Sequence, residues 1–281
     1  MIIWLASYPK SGNTWVRSII ASLIYTNDGI FNFDLLENIR QFPTAKHFRR
    51  FTNDIGNLNE IMKYWIKAQD FINLDNKVKF FKTHHLNCKI GKSSFTNKEN
   101  TLATIYIVRD PRNLVSSISN HYSKSLEESK NFLLSPRYIG GYKKFGEKKK
   151  ENLTSILGSW QEHYKFWKKN NDSYLLIRYE DLITKPLDEL IRIINFLKKF
   201  MSIETNTEKN NNIIKTTNFK NLQLLEGKGR FKENAYESTD NKIKFFNLGP
   251  ENNWENSLDF KIKNEIEQKL SNEMKELGYL K

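Results

Sequence analysis

The chain has 281 residues and carries 45 Lys and Arg against 32 Asp and Glu, a formal charge of +13 at neutral pH. Its hydrophobic share of 38% supports a packed core of α/β size, while one cysteine, Cys88, excludes an intrachain disulfide and a cysteine metal cluster. No apolar run approaches the roughly 18 residues of a membrane span, and the N-terminus lacks the charged region and cleavage site of a signal peptide, so a soluble, cytoplasmic protein is expected. The excess positive charge suits an anionic ligand or a dispersed solvated surface, since many Lys are interspersed with Asn.

Residues 1–7 (MIIWLAS) read as a buried strand. The chain then breaks at Tyr8-Pro9-Lys10-Ser11-Gly12-Asn13-Thr14, and Trp15, Val16, Ile19, Ile20, Leu23 and Ile24 recur at helical period. A strand, a small-residue turn and a helix make a phosphate site: free N–H groups and the helix dipole favour an anion there. Lys10 adds charge, Ser11 and Thr14 add hydroxyls, and Gly12 lets the backbone approach. Because Lys10 precedes Gly12, this is not a Walker A loop, whose Lys follows its second Gly. Ile61, Trp65, Ala68 and Ile72 suggest a helix, preceded by a basic cluster of Lys46, His47, Arg49 and Arg50 that faces either solvent or an acidic acceptor. Residues 78–83 (VKFFKT) read as a short strand running into His84-His85, whose side chains point to opposite sides if the segment stays extended. Residues 101–108 (TLATIYIV) fit a strand buried on both faces. Arg109 follows, with Asp110 as N-cap and Pro111 at the first helical position.

Residues 123–150 lack a clear period and read as a lid or acceptor-contacting loop. Leu153, Ile156, Leu157, Trp160, Tyr164 and Trp167 suggest one amphipathic helix, residues 174–178 (YLLIR) a strand, and Leu187 to Leu197 another helix. The polar residues 206–212 read as a loop, and Ile262, Ile266, Leu270, Met274 and Leu277 as a closing helix. With no repeat or linker, residues 1–281 read as one domain. Alternating strands and helices predict a central parallel sheet flanked by helices, with ligands at the carboxyl edge.

The order Pro-Lys-Ser-Gly-Asn-Thr-Trp (residues 9–15), Lys82-Thr83-His84, Arg109 with Ser117, Gly158-Ser159-Trp160, Tyr179-Glu180-Asp181-Leu182 and Gly249 with Trp254 resembles the sulfotransferases that use PAPS (3′-phosphoadenosine 5′-phosphosulfate). The resemblance spans nearly the whole chain. It implies that Lys10, Ser11, Gly12, Asn13, Thr14 and Trp15 hold the 5′-phosphosulfate, and that Arg109 and Ser117 rather than Ser116 hold the 3′-phosphate. It implies adenine contacts from Tyr179, Thr217 and Phe219, and a cofactor contact at Gly249. His84 is implied as general base and Lys82 as a further charge on the sulfonate. In that family an Arg-Lys pair precedes the glycine and clamps the 3′-phosphate; here Asn247 and Leu248 stand in those places. Arg230, Lys242 and Lys244 are candidates to replace it.

The resemblance implies sulfonate transfer to a hydroxyl or amine acceptor without metal, leaving PAP, the desulfonated nucleotide. The acceptor expected is a small molecule or saccharide, tilted by charge towards an acidic one, with no nucleic acid and no membrane span. Two rivals stay open: a magnesium-dependent nucleotide kinase on a related loop, and a non-catalytic binder of polyanions with steep salt dependence.

Overall fold

A computed structural model of the chain describes residues 1–139, 153–169, 172–229, 231, 235–236 and 242–281. Five parallel strands form its main sheet: β1 (Ile2–Ser7), β2 (Arg40–Gln41), β3 (Lys79–Thr83), β4 (Thr101–Val108) and β5 (Tyr174–Arg178). Their order is β2-β3-β1-β4-β5. Trp4 pairs with Phe81 on one side and Thr104 on the other, and Ile107 pairs with Ile177. The two-residue edge strand β2, absent from the sequence reading, places Gln41 opposite Lys82.

Side chains alternate across the sheet, so the strands feed two cores. Ile2, Trp4, Ala6, Phe81, Tyr106 and Val108 face one; Ile3, Leu5, Phe80, Ile105, Ile107 and Ile177 face the other. Trp4 is the hub of the first, with ring centroids of Phe42, Phe95 and Trp167 at 5.6, 5.6 and 6.1 Å. Helix α1 (Asn13–Tyr25) covers the second face through Val16, Ile19, Ile20 and Leu23. Helices α2 (Pro111–Tyr122), α3 (Leu126–Leu134) and α4 (Trp160–Lys169) cover the first through Leu114, Val115, Phe132, Leu133, Trp160 and Trp167. After β5 comes the short α5 (Tyr179–Thr184). Helices α6 (Pro186–Leu197), α7 (Thr207–Thr217) and α8 (Phe219–Gly227) return to the second face, and α9 (Phe260–Lys269) to the first. No described helix is long and apolar enough to cross a membrane.

Several expected boundaries move, each for a local reason. Residues 207–217 are helical, not a loop: Asn206 accepts the Lys209 N–H at 2.8 Å as N-cap, and Ile213 buries the inner face while Asn211 stays in water. Helix α3 lies inside the stretch read as a loop, started by a reciprocal Ser125–Glu128 capping box. The glycines and lysine run expected at 140–150 lie outside the described residues. The helix expected from Leu153 starts only at Trp160, because Gly158 takes a positive φ of 70° and Ser159 pairs with Glu162 as a cap. The closing helix breaks at Leu270 into α9 and a short second helix, Ser271–Glu276. The pattern over 61–72 resolves into a 3-10 turn and the helix Trp65–Ile72.

Candidate active site

All five strands run the same way, so the residues that follow them meet at one edge. Beyond β1 the chain turns through Lys10, with φ 68°, and Gly12, with φ 99°, into α1. Gly12 is the N-cap of α1 and makes no side-chain cap, so the first N–H groups of the helix have no intrahelical acceptor. A Cβ at Gly12 would stand 2.6 Å from Tyr179 Cδ2, so only glycine lets this turn rest on that ring. Asn13 Nδ2 donates to the Leu5 carbonyl at 2.9 Å and to Ser7 Oγ at 3.2 Å, tying the helix start back to β1.

Lys10 and Arg109 supply charge to this turn. The Arg109 guanidinium donates to the carbonyls of Lys10 at 3.4 Å and Gly249 at 3.3 Å, and lies 4.1 Å over the Tyr179 ring. Neither cation has an ion-pair partner among the described residues, and Lys10 Nζ, Ser11 Oγ and Arg109 Nε are buried without a hydrogen-bond partner there. The nearest aromatic face to the ammonium is Phe245, 3.7 Å from ring centroid to Nζ. Burial pushes the Lys10 pKa down to about 7, with Arg109 repelling and Glu226 partly opposing. Two buried cations and an idle hydroxyl beside free helix N–H groups are costly unless an anion completes them. These residues fit a phosphate-bearing ligand. Arg109 is not spent on its acidic neighbour, because Asp110 pairs with Arg112 at 2.6 Å.

His84 follows β3. Its Nδ1 lies 2.7 Å from the Ser7 carbonyl, which only accepts, so Nδ1 carries the proton and Nε2 the lone pair in the neutral ring. The His84 carbonyl in turn accepts from His163 Nε2 at 3.2 Å, and His163 Nδ1 meets the Tyr106 hydroxyl at 2.9 Å. Burial pushes the His163 pKa down to about 3. His85 turns the other way, into the core: it stacks on Phe95 with centroids 4.2 Å apart, and its Nδ1 donates to the Leu86 carbonyl at 2.7 Å. The two histidines part in placement: His84 lines the cavity and His85 does not.

A cavity of about 310 Å³ gathers Lys10, Gly12, Asn13, Thr14, Trp15, Lys82, His84, Arg109, Ser117, Tyr179, Phe219 and Gly249. Ser11 is buried just behind its wall. Thr217 is not brought there. Its hydroxyl donates to the Ile213 carbonyl at 2.7 Å within α7, and it lines a separate cleft. The aromatic end is built by Trp15 with Tyr179 at 5.6 Å and Phe219 at 6.3 Å, and Phe219 packs flat on the Gly249 backbone. Ser116 is occupied, donating to Asn252 Oδ1 at 2.7 Å, whereas Ser117 Oγ makes no hydrogen bond among the described residues. Glu180 is structural, accepting from the Asp110 N–H at 3.0 Å and the Tyr279 hydroxyl at 2.9 Å.

Sequence reasoning missed Gln41, His121, Phe245, Phe246 and Asn252 on this wall. No local pattern marks them: the Phe245 and Phe246 N–H groups are held by Glu226 at 2.7 and 3.0 Å, a contact made only after folding. Burial, aided by Lys10 and Lys82, pushes the His121 pKa down to about 3. Of the candidates to replace the missing Arg-Lys pair, Arg230 and the Lys242 side chain lie outside the described residues, and Lys244 is exposed and off the cavity wall.

Comparison with known proteins places the chain. The family model described as "Sulfotransferase domain" matches residues 2–278. "Cytosolic sulfotransferase 13" of Arabidopsis thaliana is 24% identical over 271 residues, 95% of this chain and 74% of that protein. "Sulfotransferase 1 family member D1" of Mus musculus is 27% identical over 200 residues, 70% of this chain but only 59% of that protein. The crystal structure of mouse sulfotransferase SULT7A1 complexed with PAP superposes with a TM-score of 0.58 at 21% identity, covering 97% of this chain and 83% of that one, a likeness of fold. With a family model matched almost end to end and the expected helix-flanked parallel sheet in place, the chain belongs to the sulfotransferase family.

Proposed function

We propose that this sulfotransferase moves a sulfonate group from PAPS to a hydroxyl or amine of a small-molecule or saccharide acceptor, with His84 as general base. The observation that carries the reading is the pair of cations without a carboxylate partner among the described residues, Lys10 on the turn after β1 and Arg109 after β4, brought together beside an aromatic slot. PAPS, when bound, supplies the activated sulfonate. Lys10 and the N–H groups at the start of α1 hold the 5′-phosphate and take up the negative charge that grows on its bridging oxygen. Arg109 binds the 3′-phosphate with its planar fork, joined by the free Ser117 hydroxyl. Trp15, Tyr179 and Phe219 flank the adenine. His84 Nε2 removes the acceptor proton, while Nδ1–H on the Ser7 carbonyl keeps that tautomer. Lys82, at the end of the same strand, adds positive charge beside the transferred group.

A thermal-shift series with PAP, AMP, ADP and ATP, each with and without magnesium, tests the reading. PAP at a hundred times its Kd is expected to stabilise by about 2.7 kcal/mol, a rise of several degrees. Stabilisation by ATP with magnesium and none by PAP would transfer the site to the kinase reading.

A further inference from the structure

A second cavity, of about 910 Å³, opens beside the edge strand β2. Gln41 lines both cavities. It pairs in register with Lys82, two residues before His84, so the second cavity is the space a molecule at His84 would enter on passing Gln41. The floor of the second cavity is apolar: Phe33, Leu36, Ile39 and Phe231 are all buried, with the Phe33 and Phe231 rings 4.7 Å apart. Buried Arg17 holds that floor together, donating through Nη2 to the carbonyls of Leu36 at 3.3 Å and Ile39 at 3.1 Å.

The rim is charged and unequal. Arg40, Lys46 and Arg49 stand exposed on it, against Asp34 and Glu37. The Arg40 and Lys46 side chains make no hydrogen bond or ion pair among the described residues. His47, on the same cavity wall, contributes no charge at neutral pH, because burial and then the Arg40 charge push its pKa down to about 4. An apolar floor under two unspent cations, Arg40 and Lys46, suits a molecule with an apolar body and an anionic end.

Resting on the sulfotransferase reading, we propose that the acceptor is an amphipathic hydroxylated acid, its apolar body lying on Phe33 and Phe231 and its carboxylate held by Arg40 and Lys46 in this second cavity. The acceptor hydroxyl then meets His84 across Gln41. The test compares 3-(4-hydroxyphenyl)propionate with its neutral amide and with 4-nitrophenyl glucuronide, by calorimetry on the full chain, with and without PAP. The acid is expected to bind at least tenfold more tightly than the amide, a difference that shrinks with added salt and vanishes in the double variant R40A/K46A. Equal binding of acid and amide, or a preference that survives in R40A/K46A, overturns the proposal. A glucuronide that outcompetes the hydroxyphenyl acid through the same two residues overturns its apolar-body half. PAP binding measured on the same sample separates the two levels. No PAP binding counts against the sulfotransferase reading; PAP binding with acid–amide parity counts against this inference alone.

Discussion

Raising the pH should loosen the nucleotide through one lysine. The Lys10 ammonium in the free protein titrates near 7, because it is buried beside Arg109. A phosphate placed against it favours the charged form, so the bound protein holds a proton that the free protein sheds above that pH. PAP affinity is therefore expected to be nearly level between about pH 6.5 and 7 and to fall tenfold per unit above it. By pH 9 the loss is about 100-fold, about 2.7 kcal/mol at about 1.4 kcal/mol per unit. The phosphate itself contributes little to the slope, since its second ionisation, near pKa 6, is nearly complete. Stability of the free protein should move the opposite way. The unfolded chain keeps the Lys10 proton up to the ordinary lysine range, so between pH 7 and about 10 this group adds stability as pH rises. Calorimetry at pH 8 in two buffers of different ionisation enthalpy reads the proton directly, with uptake close to one expected per PAP bound. A wild-type affinity that stays flat from pH 6.5 to 9, or the same slope in Lys10→Met, would refute the assignment.

Four further outcomes are expected. Gly12→Ala, strained at φ 99° and forced into the Tyr179 ring, should cost about 1–3 kcal/mol in a melting experiment and lose most PAP binding. His84→Ala should lower kcat about 10²- to 10⁴-fold with PAP affinity kept; wild-type turnover would remove the base from His84. His163→Phe, which cuts the bond to the His84 carbonyl, should lower kcat with little change in PAP affinity, and His163→Gln, which keeps a donor, should restore part of it. Trp4→Ala should destabilise by about 3–5 kcal/mol in denaturant unfolding, because Phe42, Phe81, Phe95 and Trp167 all lose their common partner.

The amino-acid order by itself determined the parts whose signal is local. Continuous, mostly apolar runs marked β1, β4 and β5 almost to the residue: β1 and β4 lie inside the sheet, where burial on both faces leaves few polar positions, while β5 at the edge is only partly buried. The turn at Lys10 to Thr14 and the Asp110–Pro111 helix start were legible because backbone geometry there demands particular residue types. Tertiary structure decided what depends on distant partners. It buried the Lys10 ammonium and set it against Arg109, and burial first, then that repulsion, lowers the lysine's pKa. It sent His84 to the cavity and His85 to Phe95, although the two are neighbours in an unremarkable pair. It bonded the Thr217 hydroxyl within α7 and left that residue on a neighbouring cleft shared with Trp15 and Phe219, and it set Gln41 on the walls of two cavities by adding a strand too short to leave a period. Pairing, burial and charge proximity belong to the folded chain, because they join residues that no short window of sequence contains.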